Sequence, residues 1–165
     1  RVSCDIPKHL ILDAYHKADY KINMADKYTN DLSKDPSLID TAELKDASSS
    51  TIMSVVNEII FGDLNLPFKP ITYNFFEYKN SDLFIHKDNS SHSRLGIVLE
   101  GRGDLIFYDE NKNEIDRTDM QEWTIFTTKK HHSVEWTDNR FSFVIGFREN
   151  YESLYNAFLK KGLIL

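Results

Sequence analysis

The chain has 165 residues, of which 41% are hydrophobic, and this length fits one domain that can bury a core without disulfide or metal support. Its formal charge of −6 argues against a protein that holds nucleic acid mainly through phosphate contacts. The single cysteine cannot form an internal disulfide, no apolar stretch approaches membrane-spanning length, and the first residues lack the apolar core of a signal peptide. We therefore expect a cytoplasmic, intracellular protein with no membrane partner.

Residues 1–66 are predicted to be mainly helical and to support the rest of a single domain, residues 1–165. A first helix begins near Pro7, and its apolar stripe, at spacings of four and three, comprises Ile11, Tyr15, Ala18, Ile22 and Ala25. The polar stretch from Asn30 to Ser50 is expected to be a loop. A second helix is capped near Thr51 and ended by Gly62, and its apolar positions are Ile52, Val55, Val56, Ile59 and Ile60.

From Ile71 onward the pattern changes to short aromatic and β-branched runs that are separated by polar turns. The runs are ITYNFFEY, LFIHKD, LGIVLE, DLIFYD, EWTIFTT, HSVEW and RFSFVIGF. Helices followed by antiparallel strands predict an α+β protein, in which an all-β sandwich or barrel is backed by helices. We assign residues 71–148 to the β core and residues 149–165 to a C-terminal helix.

The last run has two chemically different faces. Alternate positions from 141 to 147 carry three phenylalanines and one isoleucine, and the amphipathic helices are the expected cover for this apolar face. Arg140, Ser142 and Val144 form the other face, which is predicted to look into the barrel. A buried arginine requires an anionic partner, which this reasoning leaves as either a ligand or a neighbouring carboxylate, Glu135 or Asp138.

Candidate metal ligands lie at the ends of two of these runs. His86 and Asp88 are two apart in LFIHKD, so an extended chain presents both side chains on one face. In the later run, alternation places His132, Val134 and Trp136 on the inner face, whereas His131 lies on the other. His132 is the better third ligand, and a one-residue slip would substitute His131. A hairpin at TDN, residues 137–139, is predicted to return the chain to Arg140 beside these ligands.

Two histidines and one carboxylate are the facial triad of non-haem Fe(II) oxygenases, which leaves three positions open on an octahedral metal. Those positions suit a bidentate 2-oxo acid and O₂. A cosubstrate with a distal carboxylate would need a fixed cation nearby, and Arg140 offers a planar, two-pronged donor. Ser142 can add a hydroxyl donor on the same face.

The order His86-x-Asp88, a distant His132 and then Arg140-x-Ser142 resembles the signature of Fe(II)/2-oxoglutarate-dependent dioxygenases, over roughly residues 71–148. The stretch HKDNSSHSRLGIVLEG is most similar to the prolyl hydroxylase branch, in which an asparagine follows the first ligands and an arginine opens the next strand. Asn89 and Arg94 occupy those positions and are expected to bind substrate. The tyrosine usual about ten residues before the first ligand aligns with Phe76, which leaves Tyr73 and Tyr78 as cosubstrate-binding candidates.

The resemblance implies a double-stranded β-helix, also called a jelly roll or cupin-like core, and an enzyme that uses Fe(II), 2-oxoglutarate and O₂, with ascorbate as an accessory reductant. It implies hydroxylation of an unactivated C–H bond, most simply of a prolyl residue in a peptide or protein. Asp88 favours hydroxylation because the related halogenases carry Ala or Gly at that position. The alternatives are a hydroxylase of small molecules or free amino acids, and a non-catalytic metal-binding cupin. A nucleic-acid substrate is disfavoured, because dealkylases of this superfamily carry a second arginine where this chain has Gly146.

Overall fold

The computed structural model of the protein describes residues 1–4, 6–17, 21–23, 39–43, 50–88 and 91–165. The helices are α1 (Lys8–Lys17), α2 (Ser50–Asn57), which continues as a π-helical segment over Glu58–Asp63, and α3 (Tyr151–Lys160). The strands are β1 (Lys21–Asn23), β2 (Ile39–Glu43), β3 (Thr72–His86), β4 (Ser93–Gly101), β5 (Leu105–Tyr108), β6 (Glu114–Thr118), β7 (Thr124–Thr127) and β8 (His131–Phe147). Within these ranges, no helix is both long and apolar enough to cross a membrane.

The strands pair antiparallel in one sheet that folds back on itself, because β3 and β8 each belong to two layers. In the first layer, the beginning of β3 pairs with the end of β8, which pairs in turn with β4, and β4 pairs with β7. In the second layer, the end of β3 pairs with the beginning of β8, followed by β5 and β6. This arrangement is a jelly roll and confirms the predicted β core with flanking helices.

Two bulges carry β3 and β8 from one layer to the other. Between Ser81 and Leu83, two steps along β3 match three steps along β8. Between Leu83 and His86, three steps along β3 match two along β8. Because a bulge bends a strand and increases its twist, both strands turn the corner of the sandwich without ending there.

The bulges overturn two predictions about the segment 136–139. The expected hairpin at Thr137–Asn139 is wrong, since these residues continue β8 and pair with β3. Trp136 is 60% exposed, although alternation from His132 predicted an inward side chain. The extra residue between Val134 and Thr137 shifts the alternation, so those two residues are buried and Trp136 turns outward.

The N-terminal part contains strands that the sequence did not predict. Helix α1 ends at Lys17, and Ile22 lies in β1 rather than on a helical stripe. Ala18 and Ala25 fall outside the described residues, as does most of the predicted loop Asn30–Ser50. Residues 39–43 of that loop form β2, which pairs with β3, and the last residue of the loop, Ser50, begins α2. Strand formation depends on the neighbouring strand more than on local composition, which is why polarity alone misassigned this segment.

The helices cover the outer face of the first layer, as predicted. Phe143 and Phe147 of β8 are fully buried in one cluster with residues of all three helices. Residues of that cluster contributed by the helices and the π-helical segment are Ile11, Val56, Ile59, Ile60, Leu154 and Phe158. A second cluster fills the space between the layers, and Val144 belongs to it. The predicted division of β8 into a helix-covered face and an interior face is therefore confirmed.

The two aromatic residues Phe143 and Trp136 should differ sharply in their contribution to stability. Phe143→Ala should cost about 3–5 kcal/mol, because it opens a cavity beside Phe75, whose ring centroid lies 5.0 Å away. Trp136→Ala should cost about 0.5 kcal/mol or less, as at other exposed sites. Urea unfolding followed by far-UV circular dichroism measures both, and equal losses would contradict the bulge-shifted alternation.

Candidate metal centre

The candidate ligands meet where the end of β3 lies against the beginning of β8. His86 is the last residue of β3, and its cross-strand partner is His132. The centroids of the two imidazole rings are 4.3 Å apart. Asp88 follows two residues after His86, and its backbone N–H donates to the Thr128 carbonyl at 3.0 Å. Antiparallel pairing thus brings together residues that are more than forty positions apart in the chain.

Both imidazoles are oriented by the backbone. His86 Nδ1 lies 2.8 Å from the Phe84 carbonyl oxygen, and His132 Nδ1 lies 3.0 Å from the Lys130 carbonyl oxygen. A carbonyl oxygen can only accept, so each Nδ1 carries a proton, and Nε2 is the ring nitrogen that is left to bind a metal ion. The two Nε2 atoms face Asp88, at 3.4 Å from Oδ1 for His86 and 3.8 Å from Oδ2 for His132.

The protonation states of this cluster suit metal ligation. Burial lowers the pKa of His132 to about 4, and the neighbouring His86 adds to the effect. Burial opposes ionisation of Asp88, but its interactions with His86, Arg94 and His132 outweigh burial and lower the pKa of Asp88 to about 2. At neutral pH, therefore, His132 offers a lone pair and Asp88 a carboxylate without prior loss of a proton.

One ligand atom from each of the three residues lies within 4.8 Å of the others, close enough to hold one metal ion. Two imidazole nitrogens and one carboxylate oxygen are the donor set of non-haem iron sites, so the residues fit Fe(II). Among the described residues, no other group of three such side chains shows this convergence.

His131 takes no part in this group. Its side chain lies on the other side of the strand, with Nδ1 4.0 Å from the Glu110 carboxylate. The third candidate ligand in the structure is His132, which is 4% exposed. The predicted alternation of inward and outward side chains holds at the beginning of β8, and it places His132 with His86 and Asp88. The bulge reverses the alternation only after Val134.

Arg140 is buried in the interior, and no carboxylate of the described residues contacts its guanidinium. Its Nε donates to the Gly103 carbonyl at 3.0 Å, Nη1 to Ser142 Oγ at 3.2 Å and Nη2 to Met120 Sδ at 3.4 Å. The guanidinium carbon lies 5.4 Å from the centre of the Tyr78 ring. All of these partners are uncharged, and Arg140 is only 2% exposed. Burial lowers the pKa of Arg140, although a guanidinium still stays charged at neutral pH.

The alternative carboxylate partners do not reach Arg140. Glu135 is exposed and lies 3.7 Å from Arg117, and Asp138 is also exposed. Within the described part of the chain, no acidic side chain lies within 4.0 Å of the Arg140 guanidinium. The charge of Asp104 acts on Arg140 from beyond that distance and raises its pKa against the effect of burial, while the Asp104 carboxylate itself pairs with Arg117 at 3.2 Å. The groups in contact with the Arg140 guanidinium are therefore dipoles and an aromatic ring, an arrangement that favours an anionic ligand.

Only some of the other predicted site residues lie beside Arg140. Tyr78 and Ser142 contact Arg140 and keep their assignment to its pocket. Tyr73 lies on the helix-covered face of β3, where its hydroxyl donates to Asn57 Oδ1 at 2.7 Å, so it is not retained as a pocket residue. Asn89 lies outside the described residues. Arg94, predicted to bind substrate, forms an ion pair with Asp88 at 2.7 Å.

Two pocket residues, Met120 and Gly103, were not predicted from sequence. Met120 lies in the loop between β6 and β7 and is 1% exposed. A side-chain carbon on Gly103 would come within 3.2 Å of Arg140 Cδ, so glycine gives the arginine room. Neither residue belongs to a periodic pattern, and no local signal marks a loop residue that folds back onto a strand.

Solved structures with a similar fold include a prolyl-4-hydroxylase from Pseudomonas putida, with a TM-score of 0.52 and 12% identity over 88% of this chain and 87% of that one. An oxidoreductase of the 2OG-Fe(II) oxygenase family from Burkholderia pseudomallei gives a TM-score of 0.51 and 15% identity over 68% of this chain and 67% of that one. The likeness to a rmlc-like cupin protein from Desulfovibrio desulfuricans is weaker, with a TM-score of 0.35 and 18% identity over 48% and 79% of the two chains. At such identities the likeness shows the fold alone. No protein-family model and no curated protein matches this sequence significantly.

Removal of His132 should abolish tight metal binding, whereas removal of its neighbour should not. We expect His132→Ala to weaken the affinity for Mn(II), used as a redox-stable probe, by more than about 100-fold, because loss of a ligand costs more than loss of a supporting contact. The matched variant His131→Ala should stay within about threefold of the wild type. Titration followed by electron paramagnetic resonance measures both, and the opposite order would place β8 one residue out of register.

Burial of neutral His132 should make the metal-free protein less stable as the pH falls from about 6.5 to about 4. Over this range the unfolded chain binds a proton that folded His132 does not, so the free energy of unfolding decreases by roughly 3 kcal/mol at most. Asp88 acts at lower pH, since its stabilisation is lost as the pH falls from 3.8 through about 2. Urea unfolding in EDTA between pH 4 and 7 tests this, and His132→Gln should flatten the profile. A variant slope equal to that of the wild type would refute the attribution.

Proposed function

We propose that the protein is an Fe(II)- and 2-oxoglutarate-dependent oxygenase that hydroxylates an unactivated C–H bond. The observation that carries the proposal is the convergence of two imidazole Nε2 atoms on the Asp88 carboxylate, in the same interior as a buried arginine that no carboxylate of the described residues contacts. Each feature alone has simpler explanations. Together they supply a metal site with open positions and a fixed cation for a dicarboxylate.

Both features border one apolar cluster between the two layers. His132 lies beside Phe107, at 6.4 Å between ring centroids, and Phe107 belongs to this cluster. Arg140 contacts Tyr78 and Met120, which belong to the same cluster. An apolar surround with a few polar groups keeps water away and orients a bound acid, which is the protein's part in cofactor chemistry.

Each residue of the site has a defined role in this proposal. His86, Asp88 and His132 would hold the iron, which when bound couples oxidation of 2-oxoglutarate by O₂, to succinate and CO₂, to insertion of one oxygen atom into a C–H bond. Arg140 would pair with the distal carboxylate of 2-oxoglutarate, and the Ser142 hydroxyl would donate to the same group. Tyr78 stacks against the guanidinium and limits its movement.

For the substrate we propose a prolyl residue in a peptide or protein. The HKDNSSHSR stretch supports this, as does the similarity of fold to the Pseudomonas putida prolyl-4-hydroxylase over 88% of this chain. A free amino acid or another small molecule is the alternative substrate. Nucleic acid is disfavoured, because the second arginine of the nucleic-acid dealkylases would stand at Gly146. A side-chain carbon there would come within 2.3 Å of Thr72 Oγ1, so the position has no room for an arginine.

The decisive experiment is to load the protein anaerobically with Fe(II), add 2-oxoglutarate and admit O₂ with ascorbate present. Succinate and CO₂ should form in equal amounts, and the rate should rise with the correct substrate. Proline-containing peptides and free amino acids, screened in parallel by mass spectrometry for a gain of one oxygen, separate the two substrate classes. Tight metal binding with no 2-oxoglutarate consumption under any condition would instead identify a non-catalytic cupin.

Arg140→Ala should weaken 2-oxoglutarate binding by about two orders of magnitude or more, because truncation of one partner of a buried charge pair costs about 2–5 kcal/mol. Mn(II) affinity should survive. Arg140→Lys should recover only part of the binding, since an ammonium cannot reproduce the two-pronged contact. Calorimetric titration of 2-oxoglutarate into the Mn(II)-loaded variants measures this, with exposed Arg117→Ala as the control. An unchanged dissociation constant in Arg140→Ala would remove the cosubstrate anchor.

A further inference from the structure

Arg94 contacts the metal-ligand candidate Asp88 instead of facing an open substrate site. It lies near the start of β4, and its Nη2 is 2.7 Å from Asp88 Oδ2. Its Nε donates to Ser91 Oγ at 3.0 Å, and its guanidinium carbon lies 5.9 Å from the centre of the Phe76 ring. The side chains of both Arg94 and Asp88 are 15% exposed. This short, shielded pair is of the charge-assisted kind that fixes geometry as well as charge.

The contact makes the two oxygens of Asp88 inequivalent. Oδ1 lies 3.4 Å from the Nε2 of His86, whereas Oδ2 is held by Arg94 at 2.7 Å. Rotation of the carboxylate to offer both oxygens to one ion would break or stretch the arginine contact. Asp88 can therefore present Oδ1 to an ion without losing the arginine contact, while Oδ2, which lies 3.8 Å from His132 Nε2, stays bound to Arg94.

A closed set of hydrogen bonds holds Arg94 in this position. The Asp88 N–H donates to the Thr128 carbonyl at 3.0 Å, and the Thr128 hydroxyl donates to the Ser91 carbonyl at 2.8 Å. Ser91 Oγ in turn accepts from Arg94, whose other end returns to Asp88. Ser91 and Thr128 are at most 1% exposed, so water does not compete for these bonds. Backbone and side chain of Asp88 are thus anchored to one buried network.

The cross-strand partner of Arg94 leaves room for that network. Arg94 is opposite Gly146 on β8. A side-chain carbon at Gly146 would lie 3.3 Å from Ser91 Cβ and 3.6 Å from Ser91 Oγ, so a larger residue would press on the hydroxyl that orients Arg94.

We infer that Arg94 is a positioning residue, which holds the Asp88 carboxylate in the orientation that presents Oδ1 to a metal ion. The inference rests on the proposed metal site. This inference replaces the expectation that Arg94 binds substrate, because the Arg94 guanidinium is already paired with the Asp88 carboxylate. Outer contacts of this kind commonly change metal affinity by about 10–100-fold.

The test compares Mn(II) affinity in the wild type, Arg94→Met and Arg94→Lys, with no 2-oxoglutarate or substrate present. Arg94→Met should bind Mn(II) about 10–100-fold more weakly, and Arg94→Lys should recover part of the loss. Lys87→Met is the control for simple loss of a nearby positive charge, since exposed Lys87 pairs with Glu110 outside this network, and it should stay within about twofold. Circular dichroism in EDTA checks that each variant is folded.

The outcomes separate the two proposals. Failure of the wild type to bind Mn(II) would overturn the metal site and this inference together. If the wild type binds, but Arg94→Met binds equally well or more tightly, only the positioning role is refuted, and a raised KM for substrate in that variant would restore substrate contact. Should Arg94→Met fail to fold, Ser91→Ala removes only the hydroxyl that orients Arg94. A smaller loss of Mn(II) affinity in that variant supports the inference, and an unchanged affinity refutes it.

Discussion

The antiparallel pairing of β3 with β8 is the constraint on which the rest of the structure depends. It runs through both layers, and its two bulges allow a single pair of strands to turn the corner of the sandwich. At one end it sets His86 opposite His132, and in the other layer it sets Tyr78 opposite Arg140. The candidate metal centre and the buried cation are therefore held by the same ladder of backbone hydrogen bonds. Neither can shift in register without moving the other.

The two faces of this ladder divide stability from chemistry. The outer face of the first layer carries the phenylalanines that the helices bury, and it supplies the larger apolar cluster. The inner face carries polar groups whose burial is costly unless they are bonded, and most of their bonds go to backbone carbonyls or to each other. His86, His132 and Arg140 each donate to a carbonyl oxygen, which fixes their direction without neutralising the groups they present. Rigid orientation of this kind is what a binding site requires.

Charge is distributed differently around the two halves of the site. The negative charge of the Asp88 carboxylate is balanced by the Arg94 guanidinium, and the low pKa of Asp88 keeps the carboxylate ionised despite its burial. Arg140, in contrast, is surrounded by a carbonyl, a hydroxyl, a thioether and an aromatic ring. The Asp88 half of the site thus offers an ionised carboxylate to a metal cation. The Arg140 half offers a guanidinium, in contact only with uncharged groups, to an anion. This difference is why we place the metal at one end and the dicarboxylate at the other.

The sequence by itself determined the jelly-roll class, the helix cover and which three side chains converge at the candidate metal centre. Those predictions succeeded because they rest on local periodicity: alternation in β8 from Arg140 to Phe147 and the two-residue spacing of His86 and Asp88 survive in the folded chain. Only the tertiary structure decided the rest. The bulges turned Trp136 outward and removed the expected hairpin, and a single extra residue in a strand leaves no signal in composition. The ion pair of Arg94 with Asp88 was likewise not predicted. It depends, as the buried Ser91–Thr128 contact does, on how β4 and the end of β7 meet the end of β3, which no short stretch of sequence specifies.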